Sequence, residues 1–68
     1  MSVEEPHLTT RETQVLQLLS EGQTCKQISM ILEIAETTVK TYLERMKSKY
    51  EVHNCNELIY IATKLGLI

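Results

Sequence analysis

Five cations fall between residues 24 and 50, namely Lys26, Lys40, Arg45, Lys47 and Lys49, against three glutamates, and the hydroxyls of Thr37, Thr38 and Thr41 lie among them. Ammonium and guanidinium groups gathered this way suit the binding of phosphate oxygens, while a threonine offers a hydroxyl to a phosphate or a methyl to an apolar base edge. The flanks differ: residues 1–23 carry a net −3 and residues 51–68 a net −1, so the chain totals −2 although its middle stands at +2. The total argues mildly against a nucleic-acid partner, and the distribution argues for one that meets a single cationic stretch.

Other chemistry finds little support. Cys25 and Cys55 stand thirty residues apart with no Cys-x-x-Cys pair, and His53 with Cys55 has no second pair to complete a metal set, so both cysteines are expected as inert thiols and no metal or cofactor is expected. The chain has no Asp, only two His and no Gly-rich phosphate loop, which leaves no constellation for catalysis. The acidic Glu4-Glu5 start and the short apolar runs fit neither a signal peptide nor a membrane span, and a cytoplasmic location is the expectation.

The elements that must position the cationic residues can be located from caps and periodicity. Thr9-Thr10-Arg11-Glu12 has the pattern of a capping box, Val15, Leu16, Leu18 and Leu19 give an apolar stripe, and Gly22 supplies a stop after Glu21. A second box, Thr24 to Gln27, opens a short helix to about Leu32 with Cys25, Ile28, Ser29 and Leu32 on one side. After a turn of about four residues, Val39, Leu43, Met46 and Tyr50 step by four, three and four, the spacing of a buried helical face. A further box at Asn54 to Glu57 starts a fourth helix with Leu58, Ile61, Ala62 and Leu65 on its inner stripe and Gly66 as its end. Residues 1–7 are expected as a loose arm and residues 8–68 as one all-α domain. With no Phe or Trp, its core must be mostly aliphatic.

With the third helix's apolar face inward, a rotation of about 100° per residue puts Thr37, Lys40, Thr41, Glu44, Arg45 and Ser48 on its outer arc. A short helix, a tight turn and a longer helix with a cationic outer face form the arrangement that lays a helix in the major groove. Thr38 and Lys26 fit phosphate contacts, Lys26 near a helix N-terminus, and Lys47 and Lys49 extend the cationic surface. Lys40 could instead pair on the surface with Glu36, four residues earlier.

The order Leu8-Thr9-x-Arg11-Glu12-x-x-Val15-Leu16, then Gly22, Lys26, Ile28, Leu32-x-Ile34, Thr38-Val39-Lys40, Leu43, Lys49, Val52 and Gly66-Leu67, closely resembles the LuxR-type DNA-binding domain from about Leu8 to Ile68. The resemblance implies a four-helix LuxR-type helix-turn-helix fold, usually the output domain of a longer bacterial transcription regulator with a receiver or ligand-binding domain. It also implies a recognition helix, here about 36–50, in the major groove of duplex DNA, Lys40 as a DNA contact, and a homodimer on an inverted-repeat operator. The fourth region of sigma factors shares the Arg-Glu first helix and the Thr-Val-Lys helix. The capped tail with Val52, Glu57 and Gly66-Leu67 separates the two. In the LuxR-type tail the last helix often makes the dimer contact, and here its non-core side carries Asn56, Ile59, Tyr60 and Thr63.

Several positions depart from that family's pattern. Glu44 stands on the reading face where many relatives carry a polar or basic side chain, and it either repels phosphate or accepts a hydrogen bond from cytosine N4. Glu33 and Glu51 replace common glycines, so two turns are strained or reshaped if they need positive φ. Ala35 replaces a usual Ser or Thr cap, Cys55 a common arginine, and Met30-Ile31 a frequently basic pair. The negative net charge, Glu44 and the apolar Met30, Ile31, Ile59 and Tyr60 support an alternative, a protein-interaction module on the same scaffold that has lost DNA binding.

Overall fold

The computed structural model describes residues 8–68, and the arm expected over residues 1–7 lies outside them. Four helices follow one another: α1 (Thr10–Ser20), α2 (Cys25–Leu32), α3 (Glu36–Lys49) and α4 (Cys55–Lys64), with no strand among the described residues. The first two boxes close reciprocally. The Glu12 amide donates to the Thr9 hydroxyl at 3.2 Å while the Thr9 amide donates to the Glu12 carboxylate at 3.0 Å, and Thr24 with Gln27 repeats this at 3.1 and 2.8 Å. At α4 the box is only half formed. The Glu57 amide donates to Asn54 at 2.9 Å, but the Glu57 carboxylate reaches one residue further and takes the amide of His53 at 2.8 Å. Ala35 opens α3 with no side-chain cap.

All four helices end in one way. The amides of Gln23, Ile34, Val52 and Leu67 donate back to the carbonyls of Leu18, Ser29, Lys47 and Ala62 at 2.8–3.1 Å. The reversal needs a left-handed residue just before each donor. Gly22 (φ 95°) and Gly66 (φ 75°) fill two of these places, and Glu33 (φ 58°) and Glu51 (φ 57°) fill the others. The glutamates therefore adopt the strained conformation rather than reshape the turn. What compensates is the residue that follows: Ile34 and Val52 pack on the core.

That core consists of Val15 and Leu16 from α1, Ile28 from α2, Val39, Leu43 and Met46 from α3, and Leu58 and Ala62 from α4. Helix α3 packs on the other three helices, so its inner face is fixed from three sides and its outer face is left over. Two expectations need correction. Leu65 was expected inside α4, yet it follows the helix as its cap and is 59% exposed, while Ile59, expected on the outer side, is half-buried against the core. Tyr50 closes the inner face of α3 only half-buried, since it too sits at a helix end.

Candidate nucleic-acid interface

The link between α2 and α3 is three residues, Glu33 to Ala35, one shorter than its sequence suggests. The left-handed Glu33 reverses the chain and Ile34 anchors it, so α3 leaves α2 at a fixed angle with its outer face clear of other elements. On that face Thr37, Lys40, Thr41, Glu44, Arg45 and Ser48 are exposed, with Thr38 half-buried beside them. Lys26 is exposed on the first turn of α2. Thr37, Lys40, Thr41, Glu44 and Arg45 thus share the exposed side of α3, Lys26 is exposed on the neighbouring helix, and Lys47 is mostly covered.

The charges on this surface are partly spoken for. Lys40 lies 3.9 Å from Glu36, both side chains well exposed, and a pair of that kind contributes only about 0.3 kcal/mol. An incoming phosphate oxygen can displace it easily. Lys47 lies 2.9 Å from Glu44 and its side chain is only 19% exposed. The hydrogen bond to the Glu44 carboxylate holds the Lys47 ammonium above the ordinary lysine pKa. Among the described residues Lys26 and Arg45 make no ion pair. The hydroxyl of Thr41 donates to the Thr37 carbonyl at 2.9 Å, so its proton is committed and the methyl is the group left to meet a base edge.

Lys49 does not belong to the cationic surface. Its ammonium donates to Glu12 at 3.1 Å, turning the end of α3 toward the start of α1. Sequence reasoning assigned Glu12 to a cap alone, and no local signal marks a pair 37 residues apart. Cys25 and Cys55 are both half-buried free thiols. No Cα of α2 comes within 8 Å of one in α4, too far for a disulfide between them, which needs about 7 Å or less. Among the described residues no three His, Cys, Asp or Glu side chains could hold a metal ion, and no helix is long and apolar enough to cross a membrane.

Two further surfaces stand apart from the α3 face. On α4, Asn56, Tyr60 and Thr63 are exposed, and Lys64 sits 5.6 Å from the centre of the Tyr60 ring with its ammonium donating to the Tyr60 hydroxyl at 3.4 Å. Between α1 and α2 an open groove of about 370 Å³ is lined by Thr13, Gln14, Gln17, Leu18, Ile31 and Leu32, with Met30 and Ile31 largely exposed nearby.

Comparison with known proteins adds to this geometry. The family model of bacterial regulatory proteins, luxR family, matches residues 6–62. The chain is 38% identical over 60 residues to the uncharacterized response regulatory protein YgeK of Escherichia coli (strain K12), a match covering 88% of this chain and 41% of YgeK. The solved transcription factor GerE superposes with a TM-score of 0.86 at 33% identity, over 88% of this chain and 90% of GerE. The Vibrio cholera VqmA–ligand–DNA complex superposes with a TM-score of 0.83 at 31% identity, over 98% of this chain and 30% of VqmA. The chain spans 25 to 41% of the length of the first curated relatives it matches.

Proposed function

Because this chain belongs to the luxR family of bacterial regulatory proteins, we propose that it is a DNA-binding domain of a transcription regulator that lays α3 in the major groove. The observation that carries the proposal is the outer face of α3. It is left uncovered by the three helices that α3 packs on, and it presents Lys40, Arg45, Thr37 and Thr41, while Lys26 is exposed on α2. The likeness to a protein solved with DNA supports the same reading.

Lys26, Arg45 and the half-buried Thr38 dock on phosphates and set the register. Thr37, Lys40 and the Thr41 methyl meet base edges, with Lys40 exchanging Glu36 for a guanine acceptor or a phosphate. A homodimer through the exposed Asn56, Tyr60 and Thr63 of α4 gives two such helices and an inverted-repeat operator, with half-sites one helical turn apart; Ile59, half-buried against the core, lies mostly behind that contact. Tyr60, 62% exposed, and Leu65 supply apolar area for that contact. The relatives it matches are longer, which supports either a stand-alone regulator or the output part of a longer chain with a receiver or ligand-binding domain, working in the cytoplasm.

The test is selection from a pool of random duplexes. Enrichment of an inverted repeat supports the whole scheme, enrichment of a single non-palindromic site removes the dimer, and no enrichment by folded protein removes DNA reading. The apolar groove between α1 and α2 favours a second reading, a protein-interaction module. On that reading nothing is enriched, and Ile31→Glu abolishes binding of a protein partner while Lys40→Ala leaves it intact.

A further inference from the structure

The outer arc of α3 carries one anion where phosphate-lined DNA would be expected to exclude it. Glu44 is seven residues on from Thr37 and four from Lys40, and its side chain is 73% exposed. We propose that Glu44 is the specificity-determining residue of this face, its carboxylate accepting a hydrogen bond from the N4 amino group of a cytosine, and that Lys47 is the counterion that lowers the electrostatic cost of placing it in the groove. The proposal rests on the DNA-binding reading above and names the base that reading leaves open.

An isolated carboxylate brought into the major groove meets two rows of phosphates, at a cost of about 1 kcal/mol for each like charge at 4 Å even in water. The Lys47 ammonium at 2.9 Å from Glu44 Oε2 makes the pair neutral as a unit. Lys47 is suited to this task because its side chain lies mostly covered on the protein surface, on the core side of the arc, so it stays with Glu44 as DNA arrives. A carboxylate has acceptor positions for about four hydrogen bonds, and one lysine contact leaves most of them for an incoming donor. The pair thus holds the carboxylate in place without consuming it.

The chemistry of the base edges then selects cytosine. Guanine presents the acceptors O6 and N7, and thymine the acceptor O4 beside its methyl group, so neither offers a donor to a carboxylate. Adenine offers an amino donor, but its neighbouring N7 acceptor faces the second carboxylate oxygen. Cytosine offers the donor N4–H₂ with no acceptor of its own beside it. The lysine partner also distinguishes the pair from mere repulsion: a glutamate that only lowered DNA affinity would do so best with no cation 2.9 Å away.

Selection from random duplexes with the full chain and with Glu44→Ala, Glu44→Gln and Lys47→Met tests this, with circular dichroism to verify that each exposed-site variant is folded. The parent is expected to enrich one fixed cytosine per half-site, whose replacement weakens binding about 5- to 150-fold. Glu44→Ala is expected to lose that preference while keeping the others, and Lys47→Met to keep the cytosine but bind every sequence more weakly. Retention of the same cytosine by Glu44→Ala, or uniformly tighter binding without a change in sequence, overturns the proposal and leaves the DNA-binding reading standing. No enrichment by the parent overturns both.

Discussion

The Lys49 ammonium sits 3.1 Å from Glu12 Oε1, joining the last turn of α3 to the first turn of α1, and the Glu12 side chain that receives it is only 7% exposed. The same carboxylate accepts the Thr9 amide, so one buried group both caps α1 and fastens the helix that carries the DNA-facing residues. Burial pushes the Glu12 carboxyl up, but the Thr9 amide, the Lys49 ammonium and the Thr9 hydroxyl together bring it below the ordinary glutamate value.

Stability should therefore depend on Glu12 in acid. A carboxylate whose folded pKa is depressed contributes stability that is present above the unfolded value, about 4.3, and is lost as pH falls through the lower folded value. Urea unfolding of the parent and Glu12→Gln should differ at pH 7, and the difference should shrink as pH falls below the unfolded value toward the lower folded one. Lys49→Met at pH 7 should cost about 1 to 2 kcal/mol, less than a fully buried pair because Lys49 keeps some water contact. A gap between parent and Glu12→Gln that does not narrow as pH is lowered from 7 into the acid range would contradict the assignment.

Glu33 and Glu51 each hold a left-handed backbone that costs a side-chain-bearing residue about 1 kcal/mol. Glu33→Gly and Glu51→Gly should each raise the urea midpoint by an equivalent of about 0.5 kcal/mol, since glycine's greater freedom in the unfolded chain returns part of the gain. A lowered midpoint in either variant would show that the glutamate side chain makes a stabilising contact that outweighs the strain.

Ala35 leaves the first amides of α3 without a side-chain acceptor. Ala35→Ser should stabilise the domain by about 0.5 to 1 kcal/mol, read as a higher Tm. An unchanged or lower Tm would mean that the turn cannot present the hydroxyl to those amides.

Lys40→Ala should weaken binding to the selected site by about 1 to 3 kcal/mol and relax preference at one position. Lys26→Ala should weaken binding about equally for all sequences and reduce the slope of log K against log salt by about 1. Anisotropy titrations of the selected and a scrambled duplex at several salt concentrations separate the two. Equal losses on both duplexes for Lys40→Ala would reassign it to phosphate.

Much of this architecture was legible in the chain because it is local. The boxes at Thr9 and Thr24, the glycine stops, and the steps from Val39 to Tyr50 each need only three or four neighbouring residues, and all four helices follow from them. The outer arc of α3 followed from the same periodicity, whereas the turns at Glu33 and Glu51 stood out only through the family resemblance, which implies glycine there and left strain or a reshaped turn open. What escaped was tertiary. The Glu12–Lys49 pair spans the chain, Ile59 and Leu65 exchange sides because α4 ends at Lys64 and meets the core at an angle its own pattern does not reveal, and the Glu44–Lys47 pair depends on where a long side chain comes to rest.

The central question for this domain is whether the outer face of α3 is the surface that meets DNA. Amide chemical-shift mapping of the labelled chain, titrated with short duplexes at low and high salt, reads this residue by residue. The largest shifts are predicted at Lys26, Thr37, Thr38, Lys40, Thr41 and Arg45, fading as salt rises. Shifts centred on Ile31 and the α1–α2 groove, or none at either salt, would contradict it.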